Sequence, residues 1–170
     1  MSPSNIQADF TQLIEQNKGI IYKVARSYGK NEDDRADLFQ EIVIQLWRAF
    51  ERYDDRYKLS TWMYRIALNV AISFYRKERR RTEVTSPLNE GMTEIADDPV
   101  DGEVEANINL LQQFINELKE LDKALMILYL ESKSYREIAE ILGISETNVA
   151  TKISRIKDQL KQKFSKLNLN

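Results

Sequence analysis

Apolar residues recur at three- and four-residue spacing through most of this chain, and no segment alternates apolar and polar residues as a half-buried strand does. Residues 6–28 fit either one amphipathic helix or two helices with a break near residues 17–19. Further helices are predicted over residues 37–50 and from residue 62 to about residue 80. The pattern therefore predicts an all-α fold.

Each predicted helix has an apolar face that can contribute to a core. In the helix over residues 37–50 this face consists of Leu38, Phe39, Ile42, Val43, Leu46 and Phe50. Ser60 or Thr61 is the predicted N-cap of the next helix. The predicted core face of that helix consists of Met63, Ile66, Val70 and Phe74. These helices are expected to form one small domain over residues 1–81.

Residues 82–107 differ from the rest of the chain in composition. They contain two of the three prolines, two glycines and eight acidic residues, with no lysine or arginine. Such a composition is typical of an extended, flexible linker. Helical periodicity resumes over residues 108–131, so the chain is predicted to consist of two small helical domains, 1–81 and 108–170, joined by an acidic linker.

Residues 134–157 have the pattern of a helix-turn-helix. Ser134 and Glu137 form a capping box for the first helix, and Gly143 can adopt the left-handed conformation that ends it. Ile144 is a predicted apolar plug in the turn, and Ser145 can cap the second helix. The predicted inward side chains are Ile138, Ala139 and Leu142, then Val149, Ile153, Ile156 and Leu160. The predicted outward side chains are Thr147, Thr151, Ser154 and Arg155.

An ordinary helical hairpin with a solvated polar face is the alternative interpretation of this segment. The plug, the cap and the small alanine occur together here, which favours a DNA-binding helix-turn-helix. That motif alone is compatible with a repressor, an activator, a recombinase or an initiation factor, so the remaining sequence must distinguish them.

The absence of histidine and cysteine changes the range of possible functions. It excludes disulfides, thiolate nucleophiles, imidazole bases and the usual zinc ligands. We therefore predict no catalytic residue, no metal ligand and no cofactor. The longest apolar run, residues 124–130, is far too short to cross a membrane, and no apolar signal core is present at the N-terminus. A cytoplasmic protein without membrane insertion of its own is expected.

The net charge of −2 conceals a strong segregation of charge along the chain. Residues 1–81 carry 15 basic and 11 acidic side chains, and residues 133–170 carry 8 basic and 4 acidic ones. The predicted linker carries only acidic charge. Because attraction to phosphate depends on the local field, this distribution indicates two nucleic-acid-facing domains joined by an acidic connector.

The polar face of the helix over residues 37–50 surrounds one aliphatic residue. Asp37, Gln40, Glu41 and Arg48 lie around Ile44, and Trp47 lies at the margin. An exposed isoleucine beside a tryptophan is typical of a partner-binding surface. A solvated charged face with one stray apolar residue explains the same pattern, and this helix alone does not distinguish the two.

The helix that starts near residue 62 carries a polar stripe of Arg65, Asn69 and Arg76, flanked by Leu68 and Ile72. It ends in RKERRR, which places five basic residues in six positions. A dipole-stabilised solvated helix end is the simpler interpretation, but capping does not require so many charges. With Tyr57, Lys58 and Trp62 nearby, the segment suits separated DNA strands.

The order of these parts resembles, over nearly the whole chain, the small two-domain bacterial sigma factors of the extracytoplasmic-function (ECF) type. The family's polymerase-clamp-binding helix resembles DLFQEIVIQLWRAFERYD, its promoter-opening helix resembles STWMYRIALNVAISFYRKERRR, and its helix-turn-helix resembles SYREIAEILGISETNVATKISRIK. The resemblance implies that the N-terminal domain reads and opens the minus-ten element. It also implies that the C-terminal domain reads the minus-thirty-five element, and that the linker threads into the polymerase near its RNA channel.

The resemblance implies a role for particular residues. The polymerase clamp is contacted by Asp37, Gln40, Glu41, Ile44, Trp47 and Arg48. Asn69 matches a base-reading position, and residues 57–60 match the loop that holds a flipped base. With the patterns above, the predicted DNA contacts are Tyr57, Lys58, Ser60, Trp62, Arg65, Asn69, Arg76, Lys77, Arg136, Thr147, Asn148, Thr151, Lys152, Ser154 and Arg155.

This chain also departs from the family pattern. Residues 147–150 read TNVA where the family commonly has Gly-Thr-Val and a basic residue, so the family does not fix the base preference of the recognition helix. Leu121 and Asp122 replace a short proline signal before the buttressing helix.

We therefore predict an alternative sigma factor whose partners are core RNA polymerase, promoter DNA and an anti-sigma factor, either soluble or membrane-anchored. The second interpretation is a stand-alone helix-turn-helix transcriptional regulator, which would use residues 1–81 for dimerisation or ligand sensing. An enzyme is third, because the chain offers only scattered carboxylates.

Overall fold

A computed structural model of the chain describes residues 3–85 and 102–168. Its helices are α1 (Pro3–Tyr28), α2 (Glu32–Phe50), α3 (Leu59–Thr85), α4 (Glu103–Asn116), α5 (Glu120–Leu130), α6 (Tyr135–Leu142) and α7 (Glu146–Asn168). The described residues contain no strand, which confirms the predicted all-α class. The chain divides into two compact units, Met1–Glu94 and Ile95–Asn170.

The N-terminal unit is a bundle in which α1, α2 and α3 all pack against one another. Helix α1 is a single helix without a break, and the Asn17 side-chain amide donates to the Leu13 carbonyl 2.9 Å away within it. The core is mostly aliphatic with buried Phe10, Tyr28 and Tyr64, and its fully enclosed side chains include Ile21, Val24, Leu38, Ile42, Leu46, Met63 and Leu68. Of the two interpretations of residues 6–28, the single helix is correct.

Helix α2 begins five residues before the predicted start, at Glu32. Asn31 is its N-cap, and the Asn31 side chain accepts a hydrogen bond of 2.8 Å from the Asp34 backbone N–H. Three acidic residues in the first turn stabilise the helix, because negative charge interacts favourably with the positive end of the helix dipole. These local signals lie outside the apolar periodicity, so the periodicity alone missed them.

The chain passes from α1 to α2 through Gly29, a buried glycine at a close backbone approach. Its N–H donates to the Ala25 carbonyl over 2.9 Å, and its carbonyl accepts from the Arg35 Nε over 3.3 Å. A Cβ at this position would lie 2.6 Å from the Arg35 Cγ and 2.9 Å from the Arg35 backbone nitrogen. The turn therefore requires a residue without a side chain.

We expect Gly29→Ala to lower the free energy of unfolding by about 1–3 kcal/mol, because the new methyl group overpacks the turn. Urea denaturation measures the effect. Gly19→Ala is the matched control, since a Cβ at Gly19 on α1 meets no atom within 4 Å. That change should stabilise the chain by about 0.5–1 kcal/mol through helix propensity. Equal stability of the two variants would contradict the inferred clash.

Helix α3 differs from its prediction in its start, its end and its buried face. It begins at Leu59, so Ser60 and Thr61 lie inside the first turn and neither is the N-cap. It continues past Arg80 to Thr85. Of the predicted core face only Met63 is buried, while the other buried apolar side chains of the helix are Tyr64, Ala67, Leu68 and Ala71.

Half-burial of Ile66, Val70 and Phe74 shows that the helix is rotated from the predicted orientation. Leu68, predicted to flank the polar stripe, is 1% exposed and belongs to the core. The sequence carries two overlapping apolar stripes on this helix, and packing against both α1 and α2 selects one of them.

The C-terminal unit is built around α5, from which Lys123 to Leu128 are all buried. Helices α4, α6 and α7 each pack on α5, and α6 also packs on α7. Phe114 of α4 meets Phe164 of α7 edge to face at 5.2 Å between ring centroids. The predicted role of residues 108–131 as a support for the helix-turn-helix is confirmed.

The predicted linker over residues 82–107 is longer than the segment left between the helices. Residues 82–85 belong to α3 and residues 103–107 belong to α4. Gly102 precedes α4, and the rest of the predicted linker, residues 86–101, lies outside the described residues. Within the described residues, no helix is both long enough and apolar enough to cross a membrane.

Candidate nucleic-acid and polymerase interfaces

The helix-turn-helix forms from the local signals that predicted it. The Ser134 hydroxyl accepts a hydrogen bond of 3.1 Å from the Glu137 N–H, and Gly143 is left-handed with φ 70°. The Ser145 hydroxyl accepts from the Asn148 N–H over 3.1 Å. The Gly143 and Ile144 N–H groups both donate to the Ala139 carbonyl, which closes the turn. The predicted caps and turn are confirmed.

The inward faces of α6 and α7 are mostly as predicted. Val149, Ile153, Ile156 and Leu160 are all buried. On α6, however, Ile138 and Ile141 are buried while Ala139 and Leu142 are only half-buried. The core face of this short helix is therefore shifted by about one residue, because α5 and α7 cover different sides of it.

The outward side chains of the motif remain accessible. Thr147, Asn148, Thr151, Ser154 and Arg155 are exposed along α7, and Lys152 is half-buried beside them. Arg136 lies on α6 with its Nε 3.9 Å from a Glu140 oxygen, and 79% of its side chain is exposed. The residues on α7 form one polar helix face of the kind that enters a DNA groove, and Arg136 lies on the preceding helix of the motif.

Lys157, on the next turn of α7, was not predicted as a functional residue. Its ammonium group lies 4.4 Å from the centre of the Tyr129 ring. Hydrogen bonding to the Tyr129 side chain raises the pKa of Lys157. The contact joins α7 to the end of α5, so Lys157 helps to hold the recognition helix on the helix that supports it. Basic character alone gave no signal for this role, because the tyrosine partner is distant in sequence.

The proposed polymerase-binding residues all lie on the outer face of α2. Asp37, Gln40, Glu41 and Arg48 are exposed, and Ile44 and Trp47 are 43% and 44% exposed. The Trp47 ring packs edge to face on Phe10 of α1, with 5.0 Å between centroids. The Gln45 amide donates to a Glu41 oxygen over 2.9 Å. The tryptophan is therefore held in place while one side of its ring remains accessible.

The loop between α2 and α3 is held by hydrogen bonds among its own residues, and the sequence did not predict these bonds. The Arg56 backbone N–H and Nε both donate to the Asp54 carboxylate, over 3.0 Å and 2.7 Å. The Arg56 hydrogen bonds lower the pKa of Asp54, and the carboxylate raises the pKa of Arg56. The Tyr53 hydroxyl donates to the Tyr57 carbonyl over 2.8 Å.

The predicted DNA contacts near this loop differ in accessibility. Tyr57 is 49% exposed and Lys58 is exposed, while Ser60 and Trp62 are half-buried in the first turn of α3. The Trp62 ring packs against the Tyr53 ring in a tilted arrangement, with 4.9 Å between ring centroids. Residues 57–60 are therefore not one loop, because residues 59 and 60 are already helical.

The outer face of α3 carries its exposed polar stripe. Arg65, Asn69 and Arg76 are exposed, as are the neighbouring Lys77 and the terminal arginines. Arg81 lies 3.7 Å from a Glu78 oxygen. The basic segment is part of α3, so its charges lie on the same helix as the polar stripe and directly follow it.

The described residues contain no group of three or more His, Cys, Asp or Glu side chains arranged to hold a metal ion.

The chain has two helical units. One contains a helix-turn-helix, and the other has a basic helix beside an aromatic loop. This combination is typical of two-domain DNA-binding proteins. Models of known protein families identify the class more closely. The model for sigma-70 region 2 matches residues 13–81, and the model for sigma-70 region 4 matches residues 108–160.

Among curated proteins, the ECF RNA polymerase sigma factor SigW of Bacillus subtilis is 30% identical, over 95% of this chain and 91% of the relative. The sigma factor CnrH of Cupriavidus metallidurans is 28% identical, over 92% of this chain and 87% of the relative. The chain therefore belongs to the ECF family of RNA polymerase sigma factors. It is an alternative sigma factor that directs transcription initiation. Sigma factors in general are not catalytic enzymes.

Solved structures of similar fold agree with this assignment. CnrH in complex with the cytosolic domain of CnrY has a TM-score of 0.66 at 21% identity, covering 94% of this chain and 89% of that chain. The sigma factor RpoE of Bartonella quintana, in complex with the anti-sigma factor NepR, has a TM-score of 0.70 at 23% identity, covering 91% and 95%. At these identities the comparison supports the fold.

Proposed function

We propose that residues 1–81 bind core RNA polymerase and read and open the minus-ten element, while residues 108–170 read the minus-thirty-five element. The main support for polymerase binding is a pair of exposed apolar side chains on α2, Ile44 and Trp47, which polar residues surround. A central apolar anchor with a polar rim is the usual anatomy of a protein–protein binding surface.

The test is to incubate the full chain with core polymerase and to look for co-elution and promoter-dependent transcription. A sigma factor requires both results. A protein that binds duplex DNA by itself, fails to co-elute with core enzyme and forms dimers would instead be a stand-alone regulator. This experiment thus separates the proposal from its closest alternative.

We propose that Tyr57, Lys58, Ser60 and Trp62 contact the opened minus-ten strand together with four residues of α3. Those four are Arg65, Asn69, Arg76 and Lys77, all exposed. Stacking on an accessible ring and attraction of phosphates to arginine are the main forces by which proteins hold single strands. Asn69 adds an amide that can read a base edge.

In the helix-turn-helix we propose that Asn148 and Arg155 read bases, with Thr147, Thr151 and Ser154 beside them and with Lys152 and Arg136 on phosphates. Arg155→Ala should cost about 1–3 kcal/mol of binding free energy and relax base preference at one position. Lys152→Ala should weaken binding to all sequences alike and reduce the salt dependence. Binding to a randomised duplex library at several salt concentrations measures both. A changed base preference in Lys152→Ala, with none in Arg155→Ala, would reverse the assignment.

Further partners follow from the same assignment. An anti-sigma factor, soluble or membrane-anchored, is proposed because RpoE is in complex with the anti-sigma factor NepR and CnrH is in complex with the cytosolic domain of CnrY. We propose that the acidic connector enters a basic channel of the polymerase, since its carboxylates imitate a phosphate chain. The protein is expected to act in the cytoplasm, where the polymerase works, and to have no enzymatic activity of its own.

A further inference from the structure

Three aromatic side chains lie at the junction of α2 and α3, and they differ in what they offer to a ligand. Tyr53 and Trp62 are half-buried, and their rings pack in a tilted arrangement with 4.9 Å between centroids. Tyr57, between them in sequence, is 49% exposed. Of these three rings, Tyr57 is therefore the one best presented for stacking on an unpaired base.

The backbone that carries Tyr57 is fixed by contacts from both sides. The Tyr57 N–H donates to the Asp54 carbonyl over 3.1 Å, which closes a tight turn. Inside that turn Arg56 is clamped to Asp54, with 2.6 Å between the guanidinium and the carboxylate. The Tyr57 carbonyl accepts from the Tyr53 hydroxyl over 2.8 Å. The neighbouring Lys58 carbonyl accepts from the Trp62 N–H over 3.1 Å, which joins the loop to the start of α3.

We infer that Tyr53 is a positioning residue for minus-ten recognition, because its ring and hydroxyl hold the loop in the shape that presents Tyr57 before DNA arrives. The inference rests on the proposed function of residues 57–62. A loop that must be ordered on binding loses affinity to conformational entropy, and a preformed loop avoids that loss. The Tyr53 hydroxyl donates to a backbone carbonyl of the loop, so its role in this inference is to order the loop.

The hydroxyl and the ring of Tyr53 can be separated experimentally. Tyr53→Phe keeps the ring contact with Trp62, so helix α3 should start in the same place and the thermal unfolding midpoint should change little. It removes only the donor to the Tyr57 carbonyl. If Tyr53 were merely a packing residue, this variant would behave as wild type in every assay.

The test uses full-length protein in complex with core polymerase. The probe is a fluorescently labelled single-stranded oligonucleotide selected from a randomised pool by the wild-type holoenzyme. Tyr53→Phe should weaken binding of this probe about three- to tenfold, the equivalent of one ordinary hydrogen bond. Binding of the core enzyme should be unchanged. Tyr22→Phe is the matched control, since Tyr22 is 52% exposed on α1 and packs on Phe39, outside the loop.

A double-mutant cycle shows whether the hydroxyl acts through Tyr57. In a Tyr57→Ala background, Tyr53→Phe should have little further effect on the probe, because the ring it positions is gone. An equal loss in both backgrounds would overturn the inference, as would unchanged binding by Tyr53→Phe alone. A wild-type holoenzyme that retains no single-stranded sequence would instead refute the proposed minus-ten function, and the inference with it.

Discussion

Ile44→Glu should abolish co-elution of this protein with core RNA polymerase. The side chain is 43% exposed and lies off the core face of α2, whose buried residues are Leu38, Ile42 and Leu46. A carboxylate there would need to be desolvated on binding, and burying an unpaired charge in an interface costs several kcal/mol. Because the residue lies on the surface, helicity and the thermal unfolding midpoint should stay close to wild type.

A matched control separates loss of a binding surface from a general effect of added negative charge. Ile108→Glu makes the same substitution at an isoleucine of α4 that is 58% exposed and lies outside the acidic connector. It should leave co-elution intact. If Ile44→Glu still co-eluted with core enzyme, the outer face of α2 would be an ordinary solvated face with one stray apolar residue.

Asn69→Ala, or deletion of one residue from the loop before α3, should impair transcription from duplex promoters while polymerase binding is retained. Taking a base out of the stack costs a few kcal/mol, and a protein without ATP chemistry must recover this by binding the unpaired base. Stacking supplies about 1–3 kcal/mol per base, and in the proposed role hydrogen bonds from Asn69 would add sequence preference. Abortive transcript formation from linear duplex templates measures the loss.

A template opened in advance by mismatches around the melted region should restore most of the activity of the loop variant. In that template the cost of strand opening has already been met. Gln16→Ala, which removes an exposed amide from α1, is a control that should need no such rescue. No rescue, combined with loss of polymerase binding, would mean that the loop is structural and that the proposed melting mechanism is wrong.

Surface residues were the easiest part of the candidate sites to predict. The outer faces of α2 and α7 follow directly from helical geometry, so Ile44 and Arg155 lie on the exposed sides that the sequence indicated. Their partners could not be predicted in this way, because the exposure of a helix face does not identify the molecule that binds it. The roles of these residues consequently remain predictions, although the family of the protein is established.

Helix α3 shows where the prediction failed. Its apolar residues form two overlapping stripes, and the sequence contains no local signal that ranks the stripe with Ile66 and Val70 below the stripe with Ala67 and Leu68. The stripe with Ala67 and Ala71 is the buried one, because two helices pack on α3 and close approach favours small side chains. Periodicity measures apolar character, whereas burial also depends on the shape of the neighbours.

The sequence by itself determined the all-α class, the helix-turn-helix and its caps, since these features depend on contacts between residues three to five positions apart. Ser134, Gly143 and Ser145 act on their own helix ends in this way. Only the tertiary structure decided which face of α3 is buried, and only it joined Lys157 to Tyr129 and Tyr53 to Trp62. Those contacts depend on how helices and loops are arranged in space, and the spacing of apolar residues along one helix does not specify that arrangement.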